Sequence, residues 1–330
     1  MVRITVISGF LGAGKTTFSN LLLDYYIRAG EKTAYVVNEF GEVGLDSALL
    51  KRQGFDTVDI VGGCICCTLH GKIKEALRDL VKKFSPDRIV FEPSGIFIFE
   101  KFLSVLEDEY LKEHCEVDSV ITIVDSTHLK DAMFVPGNFF ANQVAHADTI
   151  VMSKIQLYEG NARALEKRMR GLNERADILA KPWSELSDRD FASLYYGGSI
   201  GVTADEDDDG HDHGHGHEHE HEHGHEHEEH DHKHSHHPDF DTITIQPKEY
   251  DDNILRELEN LLRKGEFGEV YRIKGKVICG GKIKVLQAVF DTVRLDELGE
   301  SSSGSQDIEC ALAFIGHDLD EAKIREYWAR

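Results

Sequence analysis

Eight residues near the start, Gly9-Phe10-Leu11-Gly12-Ala13-Gly14-Lys15-Thr16, form a complete G-x-x-x-x-G-K-[ST] run, and no other stretch constrains the fold as tightly. Such a run works only between an apolar strand and a helix, where backbone N–H groups and a helix N-terminus converge on phosphate oxygens. Both flanks are present. Arg3 to Ser8 is a mostly apolar, β-branched run, and the residues from Lys15 onward read as a helix stopping near Gly30. The Lys15 amine is placed to neutralise the β- and γ-phosphates and the Thr16 hydroxyl to hold Mg²⁺, while Gly9, Gly12, Ala13, Gly14 and Thr17 complete the cradle. The sequence predicts a nucleoside triphosphate site.

The strand–helix alternation continues downstream. Short β-rich runs recur at Thr33–Asn38, Thr57–Val61, Arg88–Phe91, Ser119–Asp125, Thr149–Ser153 and Asp177–Ala180. Between them lie helical patterns, notably Lys72–Phe84, with Ile73, Ala76, Leu77, Leu80, Val81 and Phe84 on one face, and Gly160–Asn173. This predicts an α/β domain with a mostly parallel sheet covered on both faces, its ligands at the carboxyl ends of the strands. Residues 1–200 are assigned to it. After residue 239 the pattern restarts: strands at Asp241–Gln246, Glu269–Val277, Lys282–Arg294 and Asp307–Ile315, helices at Asp252–Arg263 and Asp320–Trp328, and a Ser/Gly loop at Gly299–Gln306. Residues 240–330 therefore read as a small α+β domain with an antiparallel sheet. Cys279 and Cys310 are isolated there and are expected in its core or on its surface.

Three of the six cysteines, Cys64, Cys66 and Cys67, fall within four residues after a Gly-Gly pair. No signal sequence precedes the first strand, so a reducing cytoplasm is expected and a disulfide framework is not. Bunched thiolates suit Zn²⁺ or another borderline metal, with a fourth ligand from elsewhere or an open position; redox chemistry or burial is the competing reading. The segment 201–239 is more extreme. It holds fourteen of the nineteen histidines, between His211 and His237, alternating with Glu, Asp and Gly. With almost no apolar residues it is expected to be a disordered tether that captures Zn²⁺, Co²⁺, Ni²⁺ or Cu²⁺ through exchangeable imidazoles, rather than a merely solvating linker. Residues 205–237 also carry −12 of the net charge of −23. Without a basic stripe nucleic acid is not an expected partner, and no run approaches the roughly 18 apolar residues of a membrane helix.

Taken together, Gly9–Thr17, Asn38-Glu39-Phe40-Gly41-Glu42, Gly63-Cys64-Ile65-Cys66-Cys67 and Glu92-Pro93-Ser94-Gly95 resemble the CobW-type GTPases, a family linked to metal delivery and to cobalamin or nitrile hydratase maturation. The His-rich insert and the α+β domain fit as well, so the resemblance spans nearly the whole chain. It implies GTP hydrolysis, with Mg²⁺, coupled to insertion of a metal, zinc foremost and cobalt or nickel next, into a metal-requiring client protein. By motif, Lys15 and Thr16 hold phosphate and Mg²⁺, and Glu92 lies near the γ-phosphate or attacking water. Cys64, Cys66 and Cys67 form the metal site, with Glu42 or Glu39 from a switch-like stretch completing it. Asp125, ending another apolar strand, is a second candidate for the cation or a structural cap. The family usually reads guanine with N-K-x-D, whereas this chain has Ser153-Lys154-Ile155-Gln156. Gln156 offers one carbonyl acceptor in place of a carboxylate, so guanine and adenine are both open. So is homodimerisation. The alternative functions are a metal buffer or sensor whose nucleotide site switches a partner interaction, and a cobalt-handling maturation factor.

Overall fold

The computed structural model describes residues 1–37, 56–59, 68–194, 240–250, 253–297 and 310–329. Glu39, Glu42, Cys64, Cys66, Cys67, the His-rich segment and the Gly299–Gln306 stretch lie outside the described residues.

Among the described residues, seven strands make the first sheet: β1 (Val2–Gly9), β2 (Thr33–Val37), β3 (Asp56–Asp59), β4 (Arg88–Glu92), β5 (Cys115–Asp125), β6 (Thr149–Ser153) and β7 (Asp177–Leu179). Their order is β3-β2-β4-β1-β5-β6-β7, and every pairing is parallel. The apolar runs that build β1 and β4 have little polar alternation because both faces are buried. Ile4, Val6, Ile89 and Phe91 pack on one face beneath the helices Thr68–Phe84 and Phe99–Leu106. Ile7, Val90, Ile121 and Val151 pack on the other against Phe18, Leu22 and Phe191, from the helices Lys15–Arg28 and Asp188–Ser193. The expected α/β architecture is therefore present.

Some local expectations need correction. The helix expected from Lys72 starts a turn earlier, at Thr68. Phe84, expected on its buried face, is 38% exposed, because as the last helical residue it has no following turn to cover it. Arg88, read only as the start of a strand, is fully buried. Its guanidinium donates to Asp118 and Glu31, reaches Thr5 Oγ1 at 2.6 Å, and lies 4.5 Å from the Tyr26 ring centroid. Burial works against that charge, but Tyr26, Asp118 and Glu31 raise its pKa above the ordinary arginine value.

The second sheet comprises β8 (Asp241–Ile245), β9 (Glu249–Tyr250), β10 (Glu269–Cys279), β11 (Lys282–Val289), β12 (Thr292–Glu297) and β13 (Leu312–His317). The path β12-β11-β10-β13-β8 is antiparallel throughout, and β9 pairs parallel with β10. The single strand expected over Lys282–Arg294 is instead a hairpin, turned by Phe290 and Asp291 with Phe290 at φ 52°. Neither residue is a glycine or asparagine, so the usual hairpin signal is missing from the sequence. One face of the sheet, including Ile273, Val277, Leu286 and Phe314, packs on Ile254, Leu258, Ile324 and Trp328 of the helices Ile254–Arg263 and Glu321–Trp328. Cys279 is buried in this core and Cys310 is half-buried. The opposite face meets the first domain: Ile315 and Tyr271 join a cluster with Phe10, Leu11 and Ile96.

Candidate nucleotide site

The parallel sheet gathers the site at one end. β1 runs into the phosphate loop, its neighbour β4 ends at Glu92, and β5 and β6, on the other side, end at Asp125 and Ser153. Thr16 and Glu92, 76 residues apart in sequence, thus become neighbours. Lys15 and Thr16 open the helix Lys15–Arg28, whose N-cap is Gly14. Lys15 is buried, with Nζ donating to the Phe10 carbonyl at 3.2 Å.

Glu92 is buried, and its carboxylate accepts from Thr16 Oγ1 at 2.7 Å, Ser19 Oγ at 2.8 Å and the Tyr35 hydroxyl. Burial pushes the Glu92 carboxyl above the ordinary glutamate range, opposed by the Lys15 charge and the three hydroxyl donors. Thr16 and Glu92 together form a pair of hard oxygen donors beside a lysine, the ligand chemistry that Mg²⁺ requires next to phosphate. The motifs single out Thr16 and Glu92, which the structure brings together, whereas Ser19 and Tyr35, the other residues of this cluster, carry no motif. The loop after Glu92 lies hard against the phosphate loop: a Cβ at Gly95 would stand 2.5 Å from the Leu11 amide nitrogen. Gln143 Nε2 holds this loop by donating to the Gly95 carbonyl at 3.0 Å.

Asp125 takes the capping arrangement. It accepts from the Thr127 backbone N–H at 2.9 Å and hydroxyl at 2.6 Å, lies 3.3 Å from His128 Nδ1, and pairs with the Lys154 ammonium. Burial raises its pKa, but His128, Lys154 and Thr127 outweigh that and hold it well below the ordinary aspartate range. Lys154 adopts a left-handed conformation, φ 54°, and its Nζ also lies 3.4 Å from the Gly12 carbonyl. Ser153 is buried and Gln156 exposed on the short 3₁₀ turn Ile155–Leu157.

Lys15, Thr16, Glu92, Gly95, His128 and Lys154 line a cavity of about 650 Å³ together with Arg272, Lys274, Gln287, Val289, Thr292 and Arg294 from the second sheet, whereas Asp125, Ser153 and Gln156 stand outside its lining. No motif or spacing announces that second wall. It touches the loop directly: Gly12 sits at φ +70°, and a Cβ there would stand 2.1 Å from Val289 Cγ2. The Phe290 ring stacks on Phe10 at 6.0 Å, and His128 Nε2 lies 3.1 Å from Thr292 Oγ1. Among the described residues no cluster of His, Cys, Asp and Glu could hold a metal ion, and no helix is long and apolar enough to cross a membrane.

The nucleotide-binding domain profile described as CobW/HypB/UreG matches residues 3–180, more than half of the chain. The chain belongs to this family. Residues 241–330 match the C-terminal domain of cobalamin synthesis protein CobW. Among curated relatives, the zinc chaperone YeiR of Escherichia coli is 38% identical over 154 residues, 47% of each chain. The zinc chaperone YjiA of the same organism is 33% identical over 189 residues, 54% of this chain and 56% of the relative. The chain thus spans about half the length of these two relatives. A zinc chaperone CobW from Sinorhizobium sp is 27% identical over 357 residues, 98% of this chain and 95% of the relative.

Proposed function

We propose that this chain hydrolyses GTP and uses the cycle to load zinc, from a site built on Cys64, Cys66 and Cys67, into a client protein in the cytoplasm. The observation that carries the reading is the convergence of Lys15, Thr16 and Glu92 at the strand ends, with Thr16 Oγ1 2.7 Å from Glu92. A triphosphate laid along Gly9–Thr17 would meet backbone N–H groups and the Lys15 ammonium, which neutralises charge on the transferring phosphoryl group. Thr16 and Glu92 would hold Mg²⁺, which when bound supplies electrostatic stabilisation to the phosphate oxygens. Ser19 and Tyr35, by hydrogen bonding, keep the Glu92 carboxylate fixed and turned toward Thr16. Ser153, Lys154 and Gln156 would receive the base, with the Gln156 carbonyl accepting from guanine.

Topology supports a link to metal. β2 and β3 are adjacent and parallel, with Val37 opposite Asp59, so the chain leaves both at the sheet end that carries the phosphate loop. Glu39 and Glu42 follow β2, and the three thiolates follow β3. A γ-phosphate that orders the first segment would change what the second can offer a metal. The names of the zinc chaperone relatives point the same way.

Lys15→Ala tests the hydrolytic half. Its GTP turnover should fall by about 10²–10³-fold or more with the fold retained. Hydrolysis at the parental rate would remove Lys15 from the site.

A further inference from the structure

We propose that the second domain completes the nucleotide site in cis: one face of its sheet, bearing Arg272, Lys274 and Arg294, closes over the phosphate loop and binds the phosphates of the nucleotide. The inference rests on the nucleotide reading of the cavity and adds a second phosphate-binding surface to it.

Strand register puts the three cations on one face. Lys274 of β10 stands opposite Gln287 of β11, which in turn stands opposite Arg294 of β12, so the three side chains form one row across adjacent strands. Neighbouring strands lie about 4.8 Å apart, which places Lys274 and Arg294 about 10 Å from each other, and Arg272 about 7 Å along β10. Their sequence neighbours Ile273 and Val293 point into the core beneath the two helices. Alternation of this kind normally marks a solvated sheet face. Here the face is turned toward the first domain, with Val289 against Gly12 and all three cations lining the cavity opposite the phosphate loop. That cavity already contains Lys15 and a helix N-terminus. Cations on two facing walls raise a positive potential in the space between them, and that potential attracts an anion. Glu92 from the first domain and Asp296 from the sheet face are the acids in the lining, against Lys15, Lys154, Arg272, Lys274 and Arg294. The cavity of about 650 Å³ falls in the range of small-ligand sites. A polyphosphate is the ligand whose charge, length and location suit both walls.

The test measures Mg²⁺–GTP affinity of the full chain by calorimetry at several salt concentrations. The variants are Arg272→Gln/Arg294→Gln, the exposed single change Arg294→Gln, the charge-retaining Arg272→Lys/Arg294→Lys, Lys15→Ala and Lys276→Gln. Lys276 shares strand and face with Arg272 but sits two residues beyond Lys274, outside the cavity lining. The double Gln change should weaken binding about tenfold or more and flatten the salt dependence, the double Lys change should recover part of the loss, and Lys276→Gln should bind as the parent does. Far-UV circular dichroism checks folding, and Arg294→Gln carries the test if the double variant unfolds. Parental affinity and salt dependence in the Gln variants, with binding lost in Lys15→Ala, would overturn the second wall and leave the nucleotide site standing. Parental affinity in Lys15→Ala as well would remove both.

Discussion

Gly12→Ala probes the contact between the phosphate loop and the second domain. Two costs are readable at this position. Gly12 sits at φ +70°, which an L-residue adopts at a cost of about 1–2 kcal/mol. The new methyl would also stand 2.1 Å from Val289 Cγ2 and 2.9 Å from Cγ1, so the hairpin of β11 and β12 must move or the loop must deform. Overpacking of this kind costs about 1–3 kcal/mol, giving a total of about 2–5 kcal/mol. The two costs separate in a double-mutant cycle. Val289→Ala removes both offending methyls and leaves its Cβ 3.1 Å away, so it relieves the steric part and none of the backbone part. Gly12→Ala/Val289→Ala should therefore be more stable than the sum of the single changes by about 1–3 kcal/mol, measured by urea unfolding with unchanged slope. Additivity within about 0.5 kcal/mol would mean that Val289 does not lie against the loop, and the two-walled cavity would fall with it.

Two further substitutions separate scaffold from site. Arg88→Met leaves Asp118 and Glu31 without their buried cation and should cost about 3–5 kcal/mol in chemical unfolding, while GTP affinity stays at the parental value because Arg88 starts β4 and the site lies at its far end; a change in affinity without a change in stability would contradict this. Asp125→Asn should cost about 1–3 kcal/mol at pH 7. Because the folded-state pKa of Asp125 is depressed, the stability it supplies is fully present above its unfolded pKa, about 3.9, and is lost as pH falls toward the folded value. The gap between parent and variant should shrink in unfolding curves taken below about pH 4, and a gap independent of pH would show that the charge of Asp125 is not what stabilises the site.

Much of the first domain was legible because its signals are local. The β-branched run before Gly9 and the apolar spacing after Lys15 specify a strand, a loop and a helix without reference to the rest of the chain. Glu92 was legible as a carboxylate at a strand end. Its partners Ser19 and Tyr35 were not, because they are brought to it by packing of the first helix and of β2 rather than by sequence spacing. Arg88 shows the same limit: a cation at the head of an apolar strand looks exposed until Glu31 and Asp118 are folded around it. In the second domain the polar residues of β10 and β12 alternate with apolar ones as any half-solvated strand does. Only the docking of that sheet over Gly12 turns Arg272 and Arg294 toward the phosphate loop. The hairpin at Phe290 was hidden because a left-handed phenylalanine leaves no compositional mark.

If the proposed cycle operates, nucleotide state governs zinc binding at Cys64, Cys66 and Cys67. Competition titration with a chromophoric zinc chelator, on the full chain and on Cys66→Ser/Cys67→Ser, each with GDP and with a non-hydrolysable GTP analogue, tests it most directly. The His-rich segment contributes equally to both chains, so the difference between them isolates the thiolate site. Linkage requires the zinc affinity of that site to differ between the two nucleotides by the factor by which zinc alters nucleotide affinity, and a coupling of about 1–3 kcal/mol corresponds to about 5–150-fold. A difference in that range, lost in the serine variant, is the expected result. The same thiolate-dependent zinc affinity with GDP and with the GTP analogue would contradict it.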